Sequence, residues 1–322
     1  MKEGFYYIIQ NIGELESKLV ILGHSSPIIN AHNMYSNSLD NQIKKIEALQ
    51  KQHPSKLQIP IYQVDAFSDK LFGGNPAAVC LLDQWLPEHK LQQIAAENNL
   101  AETAFCVKSG YLYELRWFTP TIEVDLCGHA TLATAHVLFA HEGVLAERII
   151  FKSKSGELRV TKNGEDRYTL DFPEDIAGVL SNPPALLLEG MPADVDIVEI
   201  LQGKTDYLII VESEKIVLDL QPDLEKWKQL TTMRGVIVSA KGDSVDFVSR
   251  CFFPQSGIDE DPVTGSAHTT LTPYWAGKLG KKELKAMQLS ARKGSLDCVW
   301  QQQRVMLTGN ARTYLIGHII ID

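Results

Sequence analysis

The sequence predicts an α+β chain in which two similar halves each gather many strands, read as antiparallel, around one central helix. Three observations predict it. Short alternating segments bounded by Gly, Pro, Asn and Ser recur from Ile59 to the C-terminus, which is the pattern of strands and turns. Two windows, 131–139 and 267–276, are apolar enough and long enough for buried helices, one in each half. A motif also recurs about one domain length apart. Arg116-Trp117-Phe118-Thr119-Pro120 precedes Gly128-His129-Ala130-Thr131, and Arg250-Cys251-Phe252-Phe253-Pro254 precedes Gly265-Ser266-Ala267-His268. The shared downstream glycine and helix favour duplication over a chance match.

Residues 1–58 read as an N-terminal extension rich in Asn, Ser, Gln and Lys. Its one long pattern is an amphipathic helix over 39–52, with Ser38 as cap, Ile43, Ile46 and Leu49 on one face, and Pro54 as the break. Alternation sets in over 59–67, a strand; Gly73-Gly74-Asn75-Pro76 is a turn, and 77–82 is a second strand. Leu91, Ile94 and Ala95 share one face of a helix over 89–98. Segments 103–107 and 111–118 form a hairpin around Ser109-Gly110. The helix at 131–139 ends near Gly143. Strands follow at 148–152, 157–161 and 168–171, with turns at Ser155-Gly156 and Asn163-Gly164. Asn182-Pro183-Pro184 is the best linker. Beyond it come strands at 206–211, 235–239 and 244–253, a helix at 267–276 that Pro273 shortens or bends, and strands at 286–292, 296–301 and 304–308.

Composition narrows the function. The 322 residues carry 31 basic and 40 acidic side chains, a formal charge of −9, which argues against a general nucleic-acid binder. The 44% apolar content supports a sizeable core. Five cysteines without C-x-x-C spacing argue against a disulfide framework or zinc ribbon and fit reduced thiols in the cytoplasm. The apolar patch at 5–9 is too short for a signal peptide, no arginine precedes Arg116, and 126–141 is too short and too rich in histidine to span a membrane. No membrane association is expected.

Each repeat is a strand, a loop, and a glycine turn into a helix. Helix N-termini carry unpaired N–H groups and partial positive charge, and glycine lets a ligand approach the backbone. Two such ends facing one another would suit a carboxylate; two ordinary helices in two separate cores would look the same in sequence.

Four segments resemble one family in order and spacing. They are Asp65-Ala66-Phe67 with Gly74-Asn75-Pro76-Ala77-Ala78-Val79; Asn99-Leu100-Ala101-Glu102-Thr103-Ala104-Phe105; the first repeat through Leu126-Cys127-Gly128-His129-Ala130-Thr131-Leu132; and Glu260-Asp261-Pro262-Val263-Thr264-Gly265-Ser266-Ala267. Together they resemble the phenazine-biosynthesis isomerase family, the PhzF-like proteins, over residues 59–322. The resemblance implies a diaminopimelate-epimerase-like fold: one lobe of 59–176 plus 312–322, a second of 177–311, each a sheet around a central helix, with the active site in the cleft and the C-terminal strand returning to the first lobe.

It also implies a cofactor-independent isomerase acting on a small carboxylate. Glu102 falls at the family's acid/base position, and His129 and Asp261 at its other polar positions. A carboxylate has an ordinary pKa of about 4.3, which burial raises toward a useful range. Asp261 either orients a substrate hydroxyl or amine, or caps the helix. Asn75, Gly128, Thr264, Gly265 and Ser266 are the candidate substrate contacts. A homodimer is implied; no metal or cofactor is. The alternative is a catalytically silent or moonlighting member that binds small molecules or proteins.

Epimerase relatives oppose two cysteines. Here Cys127 stands at the first position and Pro262 at the second, which excludes two-thiol chemistry. Cys127 is either a packing residue or a thiol activated by the helix end. His129 and His136 lie about 10 Å apart along a helix, too far to share an ion. Gly23-His24-Ser25-Ser26-Pro27 only imitates a nucleophile elbow, and Gly73-Gly74 lacks a P-loop lysine.

Overall fold

The computed structural model describes residues 57–301 and 303–321, and Gln58–Ile320 form one compact unit. The expected extension of 1–58, with its helix at 39–52, lies outside the described residues except for Leu57 and Gln58. These two open β1 (Leu57–Ala66), which pairs antiparallel with β2 (Asn75–Leu82). Helix α1 (Glu88–Asn98) buries Leu91, Ile94 and Ala95, the face read from the sequence, and ends where Asn99 turns left-handed at φ 49°. Because α1 carries the chain back to the same end of the sheet, β3 (Glu102–Ser109) lies parallel to β2. A turn at Gly110 then leads into β4 (Leu112–Phe118), antiparallel to β3, and the short β5 (Glu123–Val124) pairs with β4.

Helix α2 (Gly128–Ala140) is buried from Gly128 to Phe139, as a helix apolar on every face must be. It packs against β2, β3 and two later strands, β7 (Gly156–Lys162) and β8 (Arg167–Pro173). Between them β6 (Arg148–Ser153) runs parallel to β4. The last strand, β17 (Arg304–Ile321), pairs with both β8 and β1. The pairings β1–β2–β3–β4–β6–β7–β8–β17–β1 therefore close a ring of strands with α2 inside it. Thr313 Oγ1, on β17, lies 2.7 Å from His136 Nε2 of α2.

The second half begins with β9 (Gly178–Val179), α3 (Ala185–Glu189), β10 (Ile197–Gln202) and β11 (Asp206–Val211). After α4 (Glu214–Asp219) and α5 (Leu224–Trp227) come β12 (Gly235–Lys241), β13 (Phe247–Phe253) and β14 (Ile258–Asp261). Helix α6 (Gly265–Leu279), β15 (Glu283–Gln288) and β16 (Gly294–Gln301) complete it, and β16 pairs with β17. β17 thus belongs to both arrays, and the strands form one sheet.

Four expectations are corrected. The sheet is mixed rather than antiparallel: β2–β3, β4–β6, β11–β12 and β13–β15 are parallel, because helical or looped crossovers separate those strands. Asn182-Pro183-Pro184 lies within the compact unit, where Pro184 precedes α3. Pro273 does not end α6, which runs on to Leu279. Proline lacks the N–H that would bond Thr269 O, and the Asp175 N–H bonds that carbonyl instead at 3.1 Å. The strand expected at 286–292 sits earlier, at β15.

The repeated Arg-x-Phe motifs are used alike. The Arg116 Cζ lies 5.1 Å over Phe118 and the Arg250 Cζ 5.1 Å over Phe252; Arg116 pairs with Glu123 and Arg250 with Glu260. All five cysteines are buried free thiols. Among the described residues no helix is long and apolar enough to cross a membrane.

Candidate active site

The N-terminal ends of α2 and α6 meet at their glycines. A Cβ on Gly128 would lie 3.2 Å from Gly265 Cα, and one on Gly265 would lie 3.2 Å from Gly128 Cα. Any larger residue at either position would press the two ends apart. Neither helix has a side-chain cap, so these ends keep N–H groups and partial positive charge for a ligand. They front a cavity of about 580 Å³ that Glu102, His129, Asp261 and Arg234 also line.

Glu102 opens β3 in register with Ala77 of β2. Its Oε2 lies 3.2 Å from His129 Nε2, without hydrogen-bond alignment, and is buried with no hydrogen-bond partner. Catalytic hydrogen bonds are often misaligned before substrate arrives. The carboxyl pKa is raised above its ordinary value, first by burial and then by the Asp261 carboxylate; Arg234 and the Cys127 thiol oppose the rise. Burial pushes His129 down to about 3, so its ring is neutral and its approach to Glu102 is not an ion pair.

Asn75 holds the polar groups in place. Its Nδ2 donates to Asp261 Oδ1 at 2.7 Å and to Val263 O at 2.9 Å, and lies 3.1 Å from His129 Nδ1. Nδ2 spends both its hydrogens on Asp261 and Val263, and we place the ring's hydrogen on Nε2, which faces the acceptor oxygen of Glu102. Asp261 also accepts from Thr264 Oγ1 at 2.5 Å, and its pKa too is raised by burial. It does not cap α6. Thr264 N donates to Gln288 Oε1 at 2.8 Å, and Gln288 Nε2 donates to Asp261 O at 2.7 Å.

The sequence-read residues are thus brought together from five elements and their loops, with different parts to play. Glu102, Gly128, His129, Asp261, Thr264, Gly265 and Ser266 line the cavity. Asn75 does not; it sits behind His129 and Asp261. The Thr264 and Ser266 hydroxyls are already engaged, the first with Asp261 and the second by Arg234 Nη2 at 3.0 Å. Arg234 and Gln288 escaped the sequence reading, since both lie outside the motif segments.

Glu102, Cys127 and His129 offer donor atoms within 4.8 Å of one another, a set able in principle to hold an ion such as zinc. The hydrogen on Nε2 and the buried thiol favour proton chemistry instead. The Cys127 pKa is raised well above its ordinary value, chiefly by burial and then by Glu102. We expect Cys127→Ala to keep proton exchange within about tenfold of wild type; a loss comparable to that of a Glu102 variant would assign the thiol a chemical role.

The sheet-rich fold is shared with known proteins. A predicted epimerase from Pseudomonas aeruginosa shares the fold at a TM-score of 0.64 and 18% identity, over 81% of this chain and 99% of that one. The crystal structure of a PhzF-family phenazine biosynthesis protein from Enterococcus faecalis matches at a TM-score of 0.78 and 47% identity, over 82% of this chain and 99% of that one. A protein from Pseudomonas aeruginosa, named an uncharacterized isomerase, is 48% identical over 261 residues, covering 81% of this chain and 98% of its own length. These matches define the class as an isomerase. The phenazine biosynthesis-like family model matches residues 64–317, and the chain belongs to that family, the PhzC-PhzF proteins.

Proposed function

We propose that the chain moves a proton within a small carboxylate substrate, with Glu102 as the general acid and base and without a cofactor. The observation that carries this reading is the Glu102 carboxyl, its Oε2 buried without a hydrogen-bond partner, at a cavity fronted by two abutting helix ends. The substrate carboxylate lies against those ends at Gly128-His129 and Gly265-Ser266. Glu102 takes a proton from a nearby carbon, and the bonding pair left behind spreads into the carboxylate as negative charge. Helix-end N–H groups stabilise that charge where it forms. Glu102 then returns the proton, or one exchanged with solvent, to another carbon as the double bond shifts.

In this reading His129 Nε2–H steadies Glu102 and the substrate, and Asp261, fixed by Asn75 and Thr264, orients a substrate hydroxyl or amine. The Arg-x-Phe repeat and the facing helix ends support a duplicated pair of lobes, 59–176 with 312–322 and 177–311. The reading keeps a homodimer as the assembly and the cytoplasm as the compartment. The test is incubation of small cyclic and unsaturated acids with the wild-type chain in heavy water, followed by mass spectrometry. Deuterium incorporation into at least one acid is expected; none across the panel would favour a ligand-binding member without turnover.

A further inference from the structure

We propose that Arg234 is a specificity-determining residue: its guanidinium joins the α6 end in gripping the substrate carboxylate and makes the site select acids over neutral analogues. The proposal rests on the carboxylate reading above and names the side chain that enforces it.

Arg234 is held in one orientation from three sides. Its Nε donates to Asp206 Oδ1 at 3.0 Å and its Nη2 to Asp206 Oδ2 at 2.5 Å. Asp206 is itself buried, 2% exposed in its side chain, and accepts a further bond from Thr205 Oγ1. The guanidinium lies over the Phe253 ring, 4.8 Å from its centroid. Nη2 also donates to Ser266 Oγ in the first turn of α6. These contacts occupy Nε and Nη2, whereas Nη1 has no hydrogen-bond acceptor among the described residues. Two N–H donors, both on Nη1, therefore remain on a charged, fixed guanidinium whose side chain is 35% exposed and lines the cavity.

The other basic side chain lining the cavity is Lys204, whose Nζ donates to Glu174 O at 3.1 Å. The cavity is also lined by the acidic residues Glu102, Glu123, Asp125, Glu174, Asp175 and Asp261. An anion entering among those carboxyls needs a compensating cation, and Arg234 is placed beside the helix end where the carboxylate binds. An Nη1–H gives a substrate carboxylate a charge-assisted hydrogen bond, and pre-set orientation lowers the ordering cost of binding.

The test is calorimetric titration of the full chain with cyclohexenecarboxylate and with cyclohexenecarboxamide, matched in shape and differing in charge. Wild type is expected to bind the acid more tightly than the amide. Arg234→Gln should weaken the acid by about 10- to 100-fold, the range of a charge-assisted pair, and leave the amide nearly unchanged. Arg234→Lys leaves Asp206 a cationic partner but loses the fixed Nη1 donor, so it should fold and lower the acid-to-amide ratio by about threefold or more. That variant decides the matter if Arg234→Gln, with Asp206 unpaired, does not fold. A ratio unchanged in the folded variants, or a wild type that binds neither probe or both equally, overturns the proposal. Glu102→Gln should keep the ratio while losing isotope exchange. An Arg234-dependent ratio in a chain without exchange would overturn the isomerase reading and leave the carboxylate grip standing.

Discussion

Replacing Glu102 by Gln is expected to lower deuterium exchange into the substrate by about 10²- to 10⁴-fold, the usual contribution of a positioned acid/base group. Glutamine keeps the shape and the approach to His129 Nε2 but neither accepts nor returns a proton at neutral pH. The fold should survive. Glu102 Oε2 has no hydrogen-bond partner, so its loss strands no donor. An exchange rate unchanged by this substitution would remove Glu102 from the chemistry, because His129 would then have to act as the base despite a pKa of about 3.

The same variant has a stability signature with a definite sign. The folded-state pKa of Glu102 lies above its ordinary value, so the folded chain holds this proton at pH values where the unfolded chain has lost it. The group's stabilising contribution is full below that ordinary value and is lost as pH rises through the folded value. Asp261 shifts in the same direction for the same principal reason, burial. Thermal unfolding measured across pH should therefore show Glu102→Gln gaining on wild type as the medium becomes more alkaline. Exchange by wild type should rise over the same window, as the carboxylate form that accepts a proton becomes populated.

The two buried helices were legible because burial on every face writes itself into sequence: no polar stripe interrupts 131–139, and glycine marks the start of each helix. The facing of Gly128 and Gly265 was only suggested, since two helix starts in unrelated cores would read identically. Strand direction was not legible. Nothing local in β2 and β3 tells a parallel pair from an antiparallel one; the α1 crossover decides it. Pro273 misled because its rule assumes an isolated helix, whereas here Asp175 N–H takes the carbonyl that proline leaves free. Arg234 sits outside the motifs, and its meaning comes from Asp206, Phe253 and Ser266, partners that only the fold brings to it.

Gly74→Ala is expected to be the most damaging single-methyl change in the site's scaffold. Gly74 adopts a φ of +63°, and a Cβ there would lie 2.1 Å from the Ala66 carbonyl oxygen, a backbone atom that cannot rotate away. The surrounding loop has little room to yield. Arg292 Nε donates to Gly74 O at 2.8 Å, and its Nη2 donates to Gly73 O and to Asp65 Oδ1. Gly74 N donates to Lys293 O at 2.7 Å, and Phe72 N to Asp65 Oδ2 at 2.7 Å. Backbone strain plus the loss of some of these bonds should cost about 2–4 kcal/mol, seen as a lower urea midpoint with an unchanged slope. The consequence for function is larger than the methyl suggests, because the next residue is Asn75. Moving it withdraws the donor from Asp261 and the contact with His129 Nδ1, loosening both groups beside Glu102. Gly74→Ala should therefore lose exchange even at temperatures where it remains folded, whereas Gly143→Ala, also at positive φ but with open space around its Cβ, should lose stability modestly and keep its exchange rate. Equal exchange in the two folded variants would show that the Gly74 loop does not position the site.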